Sequence, residues 1–272
     1  MGSYEGYYLY CDLDGTLFDD EKRISAANRA AISFFVRQGG SFGVATGRTP
    51  PIIGTVEHEL PVNAPCILFN GAGLYDLGNR QYLALHPVDP DRTALVTSRA
   101  IELVEDACAQ IFTAANIYEL NPRQRDDPQT VLERMPVIRA SVSQIPRPFL
   151  KFILTHEKET MDFLEQTLRR EGLLEGFSVF RSSDVYLEFV APAVNKGTAL
   201  EDVRLRCSNV KKILAIGDFN NDIEMISSAD IGGAPANAVP EVKYAANIVL
   251  PFDNNHDCVA RFLETALKFE PA

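Results

Sequence analysis

Asp12 and Asp14 are separated by one leucine and followed by Gly15-Thr16, directly after the apolar run Tyr7-Tyr8-Leu9-Tyr10-Cys11. Two carboxylates two residues apart can meet at one site if the chain turns between them, and Gly15 permits such a turn. Thr46-Gly47-Arg48 ends a second apolar run. It offers a hydroxyl and a glycine that lets backbone N–H groups face an anionic oxygen. Lys196 stands beside Gly197 at the expected start of a helix, and Gly217-Asp218-Phe219-Asn220-Asn221-Asp222 follows Ile213-Leu214-Ala215-Ile216. Each has an ordinary alternative: an Asp-Gly turn, a strand–Thr-Gly turn, a surface lysine, a helix N-cap at Asn221 or Asp222. The set as a whole suggests more. Asp12, Asp14 and Asp218 supply hard oxygens of the kind Mg²⁺ favours. A carboxylate attacking phosphorus needs a metal and a lysine to offset charge repulsion, and a second acid to protonate the leaving oxygen.

These groups need elements that bring them together. Tyr7 to Cys11 reads as a buried strand of a parallel sheet, as do Phe42 to Thr46 and Cys66 to Phe69. Ser25 can cap a helix with Ala27, Ala30, Ala31, Phe34 and Phe35 on one face, ended by Gly39-Gly40. Strand, helix, strand in that order is the grammar of a parallel α/β sheet, whose ligands bind beyond the carboxyl ends of the strands. From about Leu85 the texture changes. A helix-like stretch runs from Leu95 to Ala109, then a Pro- and Arg-rich passage from Asn121 to Pro128. Strands are expected at Phe149 to Leu154, Val179-Phe180 and Tyr186 to Val190, with a helix from Lys158 to Arg170 carrying Met161, Leu164 and Leu168 on one face. After Pro192 the α/β rhythm resumes: a helix from Gly197, a strand Ile213 to Ile216, a helix from Asn221 and a strand at Asn247 to Leu250. The pattern predicts one α/β core from residues 1–85 and 192–272, interrupted by an α+β insert over 86–191.

The chain of 272 residues has 46% hydrophobic and 23% charged residues, which excludes a disordered or fibrous protein. With 26 basic and 37 acidic side chains the net charge is −11, which argues against nucleic acid or an anionic membrane as partner. An anionic substrate then requires a local cation to reverse the field. Five widely spaced cysteines without a C-x-x-C pair predict neither a disulfide framework nor a zinc site, and Cys11 is expected in the core. His58, His86, His156 and His256 lack metal-ligand spacing. The first residues show no basic region followed by an apolar one, and no apolar run approaches a membrane span. A cytoplasmic location is expected, and the sequence gives no sign of oligomeric state.

The order Asp12-Leu13-Asp14-Gly15-Thr16, Thr46, Lys196, Gly217-Asp218-x-x-x-Asp222 resembles the four motifs of the haloacid dehalogenase superfamily of phosphatases. The resemblance extends to its Cof-type sugar-phosphatase branch through Asn70-Gly71-Ala72, Tyr186-Leu187-Glu188-Phe189 and Asn221-Asp222. Phe219 and the stretch Ala234-Pro235-Ala236-Asn237-Ala238 depart from the branch's usual residues. The resemblance implies a doubly wound parallel-sheet (Rossmann-like) core with an inserted α+β cap domain. It implies Mg²⁺-dependent hydrolysis of a small phosphorylated metabolite, a sugar phosphate or a relative of one. Asp12 would attack phosphorus, giving an aspartyl phosphate, and Asp14 would serve as acid and base. Thr46, Gly47, Lys196 and Asn221 would hold the phosphoryl oxygens. Asp12, the Asp14 backbone carbonyl and Asp218 would hold Mg²⁺, with Asp222 in support. Arg48 and Glu188 are candidates for substrate contact, or for structural ion pairs. A phosphomutase using the same two acids, or a non-catalytic sensor phosphorylated on aspartate, would share much of this set.

Overall fold

Strand Tyr7–Cys11 lies inside a sheet rather than at its edge, as its unbroken apolar sequence requires. The computed structural model describes residues 3–127, 130 and 136–268, so Met1, Gly2 and Pro128, touched on above, lie outside it. The chain forms two units, Met1–Ala84 with Asn195–Ala272, and Leu85–Val194.

In the first unit five parallel strands run in the order Ile248–Val249, Ile231–Ala234, Lys212–Ile216, Tyr7–Cys11, Ser41–Val44. Alternation along the strands sends Tyr8, Tyr10, Ile213 and Ala215 to one face, where they pack with Ala199, Leu200, Val203 and Met225. These come from helices Lys196–Arg206 and Ile223–Ser228. The opposite face carries Leu9, Cys11, Phe42, Val44, Leu214 and Ile216, all buried. Helices Ala26–Arg37 and Cys258–Leu267 cover it and pack on each other. Helices on both faces make the sheet doubly wound. Ser25 caps the first helix as expected, accepting from Asn28 N–H at 3.1 Å.

The expectation for Cys66 to Phe69 needs correction. Cys66–Leu68 pairs antiparallel with Gly73–Asp76 in a three-stranded sheet that ends with Gln81–Leu85, and touches the main sheet through one parallel bridge, Ala45 to Ile67. The reason is the sharp turn at Phe69–Gly71, which folds the chain straight back.

The second unit is a six-stranded sheet, antiparallel except for its last pair, in the order Ser178–Ser183, Tyr186–Val190, Lys151–Thr155, Cys108–Phe112, Ile117–Glu119, Val137–Arg139. Helix Pro90–Leu103 begins on an Asp89 cap and packs with Lys158–Arg170. The helix expected to run to Ala109 stops at Leu103, because Val104 turns to extended backbone and Cys108–Phe112 becomes a central strand. Phe152 and Phe189 stack at 4.2 Å on one face of the sheet. Among the described residues, no helix is long and apolar enough to cross a membrane.

Candidate active site

The register of two strands assembles the centre of the site. Cys11 and Ile216 are partners across the parallel pair Tyr7–Cys11 and Lys212–Ile216, so both strands end level. Asp12 N–H then donates to Ile216 O at 3.0 Å, and the loops after both strands meet. Here the strand order reverses, since the next strand, Ser41–Val44, lies on the other side of Tyr7–Cys11. Gly15 allows the approach: its φ is +76°, and a Cβ there would lie 2.4 Å from Asp218 Oδ2. Thr16 Oγ1 donates to Asp218 Oδ1 at 2.8 Å, and Asn237 Nδ2 donates to Gly15 O at 2.7 Å.

Lys196 enters from the first turn of its helix. Asn195 caps that helix, its Oδ1 accepting from Thr198 N–H at 2.8 Å, which fixes where Lys196 begins. The Lys196 side chain is wholly buried, and Nζ donates to Asp12 Oδ1 at 2.5 Å and to Asp222 Oδ1 at 2.6 Å. The other Asp222 oxygen accepts from the N–H groups of Asp218 and Phe219 at 3.0 and 3.2 Å. Phe219 thus supplies a backbone N–H that any residue but proline could supply, which makes its departure from the branch pattern chemically mild. Oxygens of Asp12, Asp218 and Asp222 all lie within 4.8 Å of one another.

Charge at this centre is unbalanced. Burial pushes the Asp12 carboxyl well above its ordinary range; Lys196 pulls it down, while Asp222, Asp218 and Asp14 push it up further. Asp218 is raised to about 7, by burial first and then by Asp222, against the pull of Thr16 and Lys196. Burial works against the Lys196 ammonium, yet its two carboxylate partners outweigh that and hold it charged. Three acids around one lysine leave negative charge unmet.

Asp14 sits differently. Its carboxylate accepts from Arg48 Nε and Nη2, each at 2.7 Å, and from Lys22 Nζ at 2.5 Å. Burial alone would raise its pKa, but Arg48 and Lys22 outweigh it and hold the group below the usual value. Thr46 follows the strand Ser41–Val44, with Ala45 N–H donating to Cys11 O at 2.8 Å, and Thr46 Oγ1 accepts from Arg48 N–H at 3.2 Å. Asn221 Nδ2 donates to Asn70 Oδ1 at 3.1 Å, and the Asn70 amide stands close over Gly47. Glu188 lies in the second unit, where it accepts from Lys151 Nζ at 2.6 Å with both side chains buried. The structure therefore joins Asp12, Lys196, Asp218 and Asp222 in one cluster, ties Asp14 to Arg48, and ties Asn221 to the Thr46-Gly47 turn through Asn70. The contacts of Lys22, Thr16 and Asn237 escaped the sequence reading. Thr16 and Asn237 stand in stretches singled out above without a role of their own; Lys22 comes from a loop without a pattern.

The family model for haloacid dehalogenase-like hydrolases matches residues 9–263. The 5-amino-6-(5-phospho-D-ribitylamino)uracil phosphatase YcsE of Bacillus subtilis is 28% identical over 254 residues, covering 92% of this chain and 91% of its own. The pyridoxal phosphate phosphatase YbhA of Escherichia coli is 26% identical over 272 residues, covering 94% and 97%. A solved haloacid dehalogenase-like hydrolase from Bacteroides thetaiotaomicron has the same fold, with a TM-score of 0.78 at 24% identity over 97% of this chain and 100% of that one. With the family model spanning nearly its whole length, and with strand-end acids arranged as described, this chain belongs to the haloacid dehalogenase-like hydrolases.

Proposed function

We propose that the protein is a Mg²⁺-dependent phosphatase that hydrolyses small phosphate monoesters, sugar phosphates or related metabolites, through a phosphoryl group carried on Asp12. The observation that carries this reading is the buried Lys196 ammonium shared between Asp12 and Asp222 at 2.5 and 2.6 Å. A carboxylate beside such a cation can approach an anionic phosphate that would otherwise repel it. The similar phosphatases act on a phosphorylated ribitylaminouracil and on pyridoxal phosphate, both small metabolites, which supports the substrate class.

The donor set fits a hard divalent cation. It is all oxygen, and the three carboxylates exceed the one buried lysine among them. Asp12, the Asp14 backbone carbonyl and Asp218 would hold the ion. Asp222, already engaged by Lys196 and two N–H groups, would support them. Bound there, Mg²⁺ would supply charge neutralisation at a phosphoryl oxygen. Thr46, a Gly47 N–H, Lys196 and Asn221 would bind the phosphoryl oxygens and align phosphorus with Asp12. An Asp12 oxygen attacks phosphorus while the ester P–O bond breaks, and Asp14, which must first take up a proton from solvent against the pull of Arg48 and Lys22, gives it to the leaving oxygen. Asp14 then takes a proton from water, which attacks phosphorus and releases inorganic phosphate from Asp12. In this reading Arg48 orients Asp14 rather than the substrate, because its Nε and Nη2 both donate to the Asp14 carboxylate.

The first unit is read as the catalytic core and the second as a cap that selects the leaving group. Five free thiols, four of them buried, suit a reducing cytoplasm. Incubating the purified protein with a panel of phosphorylated metabolites, with Mg²⁺ and with EDTA, tests the reading. Phosphate release from several small monoesters, lost in EDTA and restored by Mg²⁺, is expected. Release that ignores EDTA, or none from any monoester, overturns it.

A further inference from the structure

The Phe69–Gly71 turn sets three successive residues at positive φ beside the candidate site. Phe69, Asn70 and Gly71 have φ of +51°, +55° and +101° in succession. Glycine accepts such a conformation and asparagine tolerates it, but a bulky aromatic residue does so only when the surroundings force it. Here they do. Phe69 N–H donates to Arg48 O at 3.3 Å and Asn70 N–H to Thr46 O at 3.0 Å, while the Phe69 ring is fully buried near Tyr82.

The turn reaches three loops at once. A Cβ on Gly47 would lie 2.9 Å from Asn70 Nδ2, and one on Gly71 would lie 2.2 Å from Asn195 O, next to Lys196. Asn70 Oδ1, fully buried, accepts from Asn221 Nδ2 at 3.1 Å. Thr46-Gly47, Asn195-Lys196 and Asn221 are the segments assigned to the phosphoryl oxygens above.

We propose that Asn70 is a positioning residue that orients the Asn221 amide toward a phosphoryl oxygen, and that the strained turn holds it there; the inference rests on the role proposed for Asn221. An Asn NH₂ group has two hydrogens, and fixing one against Asn70 Oδ1 aims the other. The acceptor should be neutral. A carboxylate in its place would hold Asn221 as well but would set a negative charge beside an anionic substrate.

The test is a double-mutant cycle read by inorganic phosphate as a competitive inhibitor of aryl phosphate hydrolysis, with Mg²⁺ present. Asn70→Gly removes the amide while suiting the positive φ, so thermal unfolding should stay within a few degrees of wild type. The inhibition constant for phosphate should rise by about five- to tenfold, the scale of one lost hydrogen bond. In an Asn221→Ala background the same change should add less than about twofold, because the partner is already gone. Equal effects in both backgrounds, or no effect of Asn70→Gly, overturn the proposal while leaving Asn221 its role. No effect of Asn221→Ala alone removes that role, and the proposal falls with it. Asn70→Asp, which keeps an acceptor and tolerates the same backbone, should weaken phosphate more than Asn70→Gly does; wild-type inhibition by phosphate in that variant also overturns the proposal.

Discussion

Arg48 grips Asp14 through two parallel hydrogen bonds, Nε to Oδ2 and Nη2 to Oδ1, each 2.7 Å long. This fork fixes the carboxylate plane, which a single lysine contact would not do. If Asp14 protonates the leaving oxygen, the cost of losing it depends on the leaving group. Asp14→Asn should slow hydrolysis of an alkyl phosphate by ~10²–10⁴ and that of an activated aryl phosphate far less. Arg48→Gln should reproduce the same bias at smaller amplitude. Single-turnover phosphorylation with both esters measures it, and equal losses for the two would remove Asp14 from the acid role.

Asp12→Asn should abolish turnover without unfolding the protein. An amide cannot attack phosphorus as a carboxylate does. Lys196 would still keep Asp222 as its counter-ion, and one of the crowded acids would be gone. Melting temperature in EDTA should therefore equal or exceed that of wild type. Activity within about tenfold of wild type, on a scale where nucleophile removal costs far more, would rule out Asp12 as the nucleophile.

Lys196→Met should act in the opposite sense on stability. It leaves Asp12 and Asp222 buried without the cation between them, and breaking a buried pair in this way costs about 3–5 kcal/mol. A divalent cation at the same carboxylates should offset part of the loss. The fall in melting temperature should therefore be larger in EDTA than with Mg²⁺ present. An identical fall under both conditions would argue that the carboxylates do not hold the ion.

The groups at the strand ends were legible because each follows an unbroken apolar run, and parallel register leaves such runs ending level. Asp12, Thr46 and Asp218 needed only that rule. Partnerships between distant loops were not legible: nothing near Lys22 announces Asp14, and nothing near Asn237 announces Gly15. The strand Ile231–Ala234 was missed because two of its four residues are glycine, which carry no strand signal. The helix read from Leu95 to Ala109 overran because Cys108–Phe112 is a short apolar run, whose periodicity fits a buried strand as well as a helix. Asn70-Gly71 was visible as a pattern, but its backbone strain is a property of the fold alone.

The last expectation concerns the second unit. Register places Gln110, Ile153 and Glu188 in one row across three strands, with Phe112 and Lys151 in the neighbouring row on the same face. The opposite face carries Phe152 and Phe189 and is apolar. The first of these faces buries a Lys–Glu pair, Lys151 Nζ donating to Glu188 Oε2 at 2.6 Å, and a glutamine. If this face selects the leaving group, altering it should change which ester is preferred and leave the phosphoryl chemistry intact. Removing one partner alone would confuse the result through an uncompensated buried charge, so both must go together. In Lys151→Met with Glu188→Leu, kcat/KM for a small aryl phosphate should stay within about threefold of wild type. The ratios of kcat/KM among sugar phosphates should shift by about tenfold or more, since remote contacts contribute to orienting the reacting centre. A folded double variant that ranks its substrates as wild type does would show that this face takes no part in choosing them.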